Sequence, residues 1–267
     1  MGKFAPVAPL AVAAELLPEE LGDYHLLLAH DVLNSPQTYR RTYHPEVLGK
    51  GTTTIMDNSL IELGEAVPME KVLEAANIVG AQFLVFSDRL KDLVWTLEAT
   101  KADLATYKHI TDVRHFSGTP QTLPKPMAVV QGSNMVEINY CIHTYKEMGF
   151  EAIAIPRVLT EVAGSRVPII YEAVELGFEY IHLLGFSDNF RDDVVSASLP
   201  GVMGIDSAVP VRMGLKGIKI SMDNYIDPGK RGDYWDNPFQ DNHTRESMTF
   251  KMMEVVNNLR RIRKFIK

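Results

Sequence analysis

Cysteine is almost missing from this chain: Cys141 is the one thiol among 267 residues. A lone cysteine excludes an intramolecular disulfide and any zinc site built on several thiolates, and it suits a reducing cytoplasm. Long hydrophobic runs are missing too, since no uninterrupted apolar stretch reaches the roughly 18 residues that suggest a membrane-spanning helix. The apolar segment Val7 to Leu17 is broken by Glu15, and it reads as a packing segment or plug at the start of the fold. Positive charge is in deficit: 27 Lys and Arg against 34 Asp and Glu leave a formal net charge of −7. A uniformly basic coat is thereby excluded, although local basic patches are not. No metal, flavin or nicotinamide motif stands out, so no cofactor is expected, and neither a fixed-period repeat nor a low-complexity segment is present.

What the chain does have is apolar residues in quantity, 46% of the total beside 23% charged, the balance of a globular protein able to bury a core. Short runs rich in Val, Ile, Leu and Phe predict strands at His25 to Val32, Thr53 to Asp57, Gln82 to Ser87, Met127 to Gln131, Ala152 to Pro156, Tyr180 to Gly185, Val202 to Ser207 and Gly217 to Ser221. Helical spacing follows at Met69 to Val79, Leu90 to Tyr107, Met135 to Met148, Pro168 to Leu176, Phe190 to Ser198 and Arg245 to Phe265. Strands alternating with helices imply a parallel sheet. They fit an α/β fold of the (β/α)8, or TIM, barrel type over residues 1–267 as a single domain, with an open doubly wound sheet as the alternative.

Polar residues fall at the predicted strand ends, where such a barrel builds its active site: Asp57, Asp88, Gln131, Arg157 and Asp206. Blander roles exist for each. Asp88 is also placed to cap the following helix, and Gln131 to close a strand end. Two loops carry most of the turn chemistry, Ser117 to Pro126 and Asp227 to Asn242. The second holds Tyr234, Trp235 and Phe239, which suit a cover over the barrel mouth, a stacking surface for bases, or a packed surface loop. The C-terminal segment Leu259 to Lys267 is basic and amphipathic, as a solvated helix end also is.

Read in order, the strand-end segments resemble those of tRNA-guanine transglycosylases. Met56-Asp57-Asn58-Ser59 is similar to the family's Asp-Ser-Gly, Phe86-Ser87-Asp88 to its Phe-Asp, and Val129-Val130-Gln131-Gly132 to its Val-Gln-Gly-Gly. Phe150-Glu151-Ala152-Ile153-Ala154-Ile155 resembles Phe-Asp-Gly-Tyr-Ala-Ile, and His182-Leu183-Leu184-Gly185 resembles Tyr-Leu-Met-Gly. The most informative piece, Ile205 to Arg212, is similar to the family's Phe-Asp-Cys-Val-x-Pro-Thr-Arg. The resemblance implies a base exchange, guanine in nucleic acid for a preQ0-like 7-deazaguanine, through a covalent intermediate on Asp206. Displacing a purine from C1′ passes through a cation-like sugar that a carboxylate can capture. Asp57 is then the general acid and base. Asp88, Gln131, Gly132, Asn58, Arg157 and Gly185 line the base site, and Arg212 faces the nucleic-acid backbone or an ion pair at the rim.

Departures from the pattern are equally specific. The three cysteines and one histidine of the family's zinc subdomain have no counterpart here, so neither that metal nor that subdomain is expected. Pro156-Arg157 stands where the family has Gly-Gly, and Leu60-Ile61-Glu62 replaces its Gly-Gly-Phe-Gln, which makes the lip beside Asp57 bulkier. A short, zinc-free chain resembles the phage and bacterial DNA-guanine transglycosylases, which favours DNA over tRNA as the partner polymer. Two alternatives of other classes stay open: a metabolic barrel enzyme acting on a small molecule, and a noncatalytic nucleic-acid-binding subunit, against which the presence of both Asp57 and Asp206 argues.

Overall fold

A computed structural model of the chain describes residues 2–49, 51–116, 123–222, Trp235, 238–239 and 245–266. Eight parallel strands make one nearly closed barrel. They are β1 (Lys3–Pro6), β2 (Tyr24–Leu28), β3 (Thr53–Asp57), β4 (Phe83–Val85), β5 (Lys125–Val129), β6 (Ala152–Pro156), β7 (Tyr180–Leu184) and β8 (Val202–Ser207). Each of β2 to β7 pairs with its successor, and β1 adds itself beside β8. Among the described residues no ladder joins β1 to β2. The two strands lie side by side, and at this seam Lys3 Nζ reaches Asp23 Oδ2 at 2.6 Å, just ahead of β2.

Seven of these strands lie where the apolar runs predict them, and the eighth does not. Residues 217–221 form no strand, because Lys3–Pro6 occupies the edge of β8 that they would need, in the register Lys3↔Gly204 to Pro6↔Ser207. Buried Asn258 takes up their backbone groups instead: its Oδ1 accepts from Ile220 N at 2.8 Å and its Nδ2 donates to Ile218 O at 2.8 Å. A strand of four residues ending in proline shows too little alternation to be recognised. The apolar segment after it packs: Val7 joins the lumen cluster, while Val12 and Ala13 of the short helix Leu10–Ala13, and Leu16 beyond it, join the outer layer.

Helices cover the outside of the barrel. Met69–Val79 and Arg245–Phe265 keep their expected bounds, whereas the helix expected from Leu90 runs from Leu93 to Phe116. Asp92 sets that start, since its Oδ1 accepts from Trp95 N at 3.0 Å, which is the N-cap contact. Strand residues alternate between two buried layers, as a period of two requires. Ala5, Tyr24, Leu26, Leu28, Ile55, Phe83, Val85, Met127, Val129, Ala152 and Ala154 fill the lumen. Leu27, Met56, Leu84, Ala128, Ile153, Ile181 and Ile205 face the helices. By the same phase Asp57, Gln131, His182 and Asp206 point inward.

The loops Ser117 to Pro126 and Asp227 to Asn242 lie largely outside the described residues, Tyr234 included. Trp235 packs against the lumen cluster and Phe239 against the outer one. No described helix is long and apolar enough to cross a membrane.

Candidate active site

Three carboxyls meet at the C-terminal mouth of the barrel, each delivered by a different strand end. Asp57 closes β3. Its Oδ2 accepts from Ser59 N at 2.8 Å, and one edge of the residue stays open to solvent. The surrounding protein withdraws the carboxyl from water and pushes its pKa well above the usual carboxylate range; the charges of Glu62, Asp88 and Asp206 push the same way, against the Ser59 N–H. Ser59 sits in the left-handed region at φ 63. Its Oγ accepts from His30 N at 3.3 Å. The helix Leu60–Leu63 follows at once and makes the lip, with Ile61 69% and Leu63 50% exposed.

Asp88, 5% exposed, follows β4 and has both oxygens engaged. Asn58 Nδ2 donates to Oδ1 at 3.1 Å and also to Phe86 O at 2.8 Å, while Gln131 Nε2 donates to Oδ2 at 2.7 Å. Gln131 in turn accepts on Oε1 from Lys91 N at 2.9 Å. Burial raises the Asp88 pKa and the two amides oppose it. Asp88 is therefore not the cap of the following helix, a role that Asp92 fills. Among the described residues Lys91 is the second non-glycine residue with left-handed backbone, at φ 59. Both such residues lie in mouth loops and touch candidate site residues, and backbone strain of this kind tends to gather at functional sites.

Asp206 ends the lumen face of β8. Gly185 N donates to its Oδ1 at 2.9 Å, and His182 Nε2 lies 3.2 Å from the same oxygen. Among the described residues Oδ2 has no hydrogen bond. Gly185 holds φ 71, and Arg157 lays its side chain over it: a Cβ there would stand 3.3 Å from Arg157 Cδ. The Arg157 guanidinium donates to Phe186 O at 3.3 Å.

Of the expected site residues, Asn58, Asp88 and Gln131 form one hydrogen-bonded cluster. Asp206 and Gly185 form a second, with Arg157 packed over Gly185, and Asp57 is coupled electrostatically to both. Gly132 lies after β5 against the first turn of the helix Met135–Glu147, where a Cβ would come within 2.8 Å of Ile138 N, so packing alone accounts for a glycine there. Arg212 is 9% exposed in the helix Val209–Leu215 rather than on the surface.

No family model and no curated protein matches this sequence. The site geometry adds residues that strand-end reading did not assign. Tyr24 and His182 lie below the mouth in the lumen, with Tyr24 Oη 2.8 Å from His182 Nδ1. The available signal was phase: a polar side chain at an inward position of an apolar strand is unusual and needs a partner. Among the described residues no group of three or more His, Cys, Asp or Glu is arranged to hold a metal ion.

Proposed function

We propose that the protein is a base-exchange transglycosylase that replaces guanine in nucleic acid, DNA before tRNA, with a 7-deazaguanine. The observation that carries this reading is the division of labour among the mouth carboxyls. Asp206 is held by two groups on one oxygen, with the other unengaged among the described residues, the arrangement of an oriented nucleophile. Asp57 has its pKa raised towards the range in which a carboxyl can give a proton to a departing base and take one from the incoming base. Asp88, steadied by Asn58 and Gln131, offers a fixed acceptor surface suited to the N–H groups of a guanine edge. The backbone after Asp57 is consistent with the resemblance: Ser59 stands where the family pattern has glycine, and it adopts the left-handed φ of 63 that glycine takes freely.

One observation favours a second reading, a barrel enzyme working on a small free molecule. The rim cations Arg89 and Lys91 are engaged with Asp92 at 3.8 Å and Glu161 at 2.6 Å, which lessens their attraction for phosphates. A single experiment separates the readings. Wild type and Asp206→Asn are incubated with guanine-containing DNA or tRNA and a set of 7-deazaguanine bases, and the digested nucleosides are weighed by mass spectrometry. The expected result is a 7-deaza nucleoside in DNA with wild type alone. Its appearance only in tRNA reassigns the polymer, and no product with any base in either polymer overturns the proposal in favour of the small-molecule reading.

A further inference from the structure

We propose that Tyr24 and His182 are positioning residues: a hydrogen-bonded relay through the barrel lumen that fixes Asp206 and decides which carboxylate oxygen is presented to the sugar. This rests on Asp206 being the nucleophile of the exchange reaction.

The direction of the relay follows from hydrogen-bond accounting. Tyr24 is 1% exposed, and its hydroxyl makes one hydrogen bond, to His182 Nδ1 at 2.8 Å. Burial, aided by the charge of Asp206, raises the phenol pKa well above its ordinary value, so the hydroxyl keeps its proton and needs an acceptor. A buried donor left without one costs about 1–3 kcal/mol. His182 Nδ1 is that acceptor, which places the proton of the neutral imidazole on Nε2. Nε2–H then donates to Asp206 Oδ1 at 3.2 Å, beside the Gly185 N–H. The fold makes room for this: a Cβ on Gly204 would stand 2.6 Å from Tyr24 Cε1 and 2.4 Å from the Lys3 carbonyl oxygen. Glycine at 204 is what lets the ring of Tyr24 lie against β8.

The consequence is chemical. With both donors on Oδ1, a lone pair of Oδ2 forms the bond to C1′ while the C1′–N bond breaks. That electron pair leaves with guanine, which takes a proton from Asp57. In the second half the incoming base attacks C1′, the O–C1′ pair returns to Asp206, and the base proton passes to Asp57. Donors on Oδ1 hold a free carboxylate more strongly than an ester carbonyl, so they favour release of Asp206. Their loss raises the fraction of enzyme trapped as the covalent adduct.

The test has two arms. In the first, protein labelled with 15N at its eight histidines is observed by NMR at neutral pH, and the signals missing from His182→Gln assign His182. Protonated Nε2 with bare Nδ1 is expected, with the Nδ1 signal displaced in Tyr24→Phe; a protonated Nδ1 in wild type overturns the relay. In the second, His182→Phe and Tyr24→Phe are assayed beside His182→Gln, which keeps an N–H directed at Asp206. His182→Phe is expected to lower kcat about tenfold, from a lost hydrogen bond to a charged group, with KM for the nucleic acid falling alongside it because release of Asp206 becomes the slow step. Adduct should accumulate in that variant, and His182→Gln should recover most of the rate. Equal rates for Phe and Gln reduce His182 to packing and overturn the proposal. Tyr24→Phe, which removes a single oxygen, carries this arm if melting shows His182→Phe unfolded. If wild type transfers no base at all, the exchange reading falls, and the histidine spectra still decide the relay.

Discussion

Asp57 is a carboxyl that the fold makes harder to ionise, and stability bears the cost. Withdrawal from water raises its native pKa, so the native state binds this proton more tightly than the unfolded chain does. Its contribution to stability is fully present below the unfolded value of about 3.9 and is lost as pH rises through the native pKa. Asp57→Asn, which is uncharged throughout, should melt higher than wild type at pH 7, and the gap should shrink as pH falls towards about 4. Calorimetric scans across that range check it, and a variant that melts lower at pH 7 contradicts it. The same side chain was legible in the sequence as a strand-end acid. Its raised pKa was not, because that depends first on its burial in the folded mouth and then on Glu62, Asp88 and Asp206 coming near it.

Between β6 and β7 the fold places a buried ion pair that positions the site from beneath. Arg166 and Asp193, both 0% exposed, meet at 2.6 Å. The Arg166 guanidinium also donates to Ile155 O at 3.3 Å and Leu184 O at 3.4 Å, near the ends of these two strands. Asp193 Oδ2 accepts from Ser187 N at 2.6 Å. The loop from Leu184 to Ser187, which carries the Gly185 N–H to Asp206, is thus tied at both ends. Arg166→Met strands a buried carboxylate and should cost about 3–5 kcal/mol in urea unfolding, whereas pairing it with Asp193→Leu should return much of that. A single variant as stable as wild type would show that the pair is not needed. Neither residue announces this role in the sequence, where Arg166 stands before a predicted helix and Asp193 within one.

Closure of the whole barrel depends on β1. It covers the edge of β8, lines the lumen through Ala5, and reaches across the seam by the Lys3–Asp23 pair. Without it the Asp206 strand would present an unpaired edge, a template for association. Deletion of residues 2–6 should therefore abolish the cooperative thermal transition seen by circular dichroism and give aggregates on size exclusion. A soluble deletion variant with a cooperative melt would show that the other strands close on their own. Tyr24 spans the lumen to His182, so the same closure assembles the lower part of the site.

Alternation of apolar residues and the order of polar strand ends were enough, from sequence alone, to give a parallel α/β fold, seven of the strands and the candidate acids Asp57, Asp88 and Asp206, while closure into a barrel rather than an open sheet came from the tertiary structure. The former are local properties, since period and turn chemistry are written in neighbouring residues. Only the tertiary structure decided the identity of the eighth strand, the pairing of Asp88 with Asn58 and Gln131, and the Tyr24–His182–Asp206 chain. Each joins residues distant in sequence, and 158 positions separate Tyr24 from His182. Ring closure and lumen phase bring such residues within hydrogen-bonding reach, and no local pattern encodes that approach.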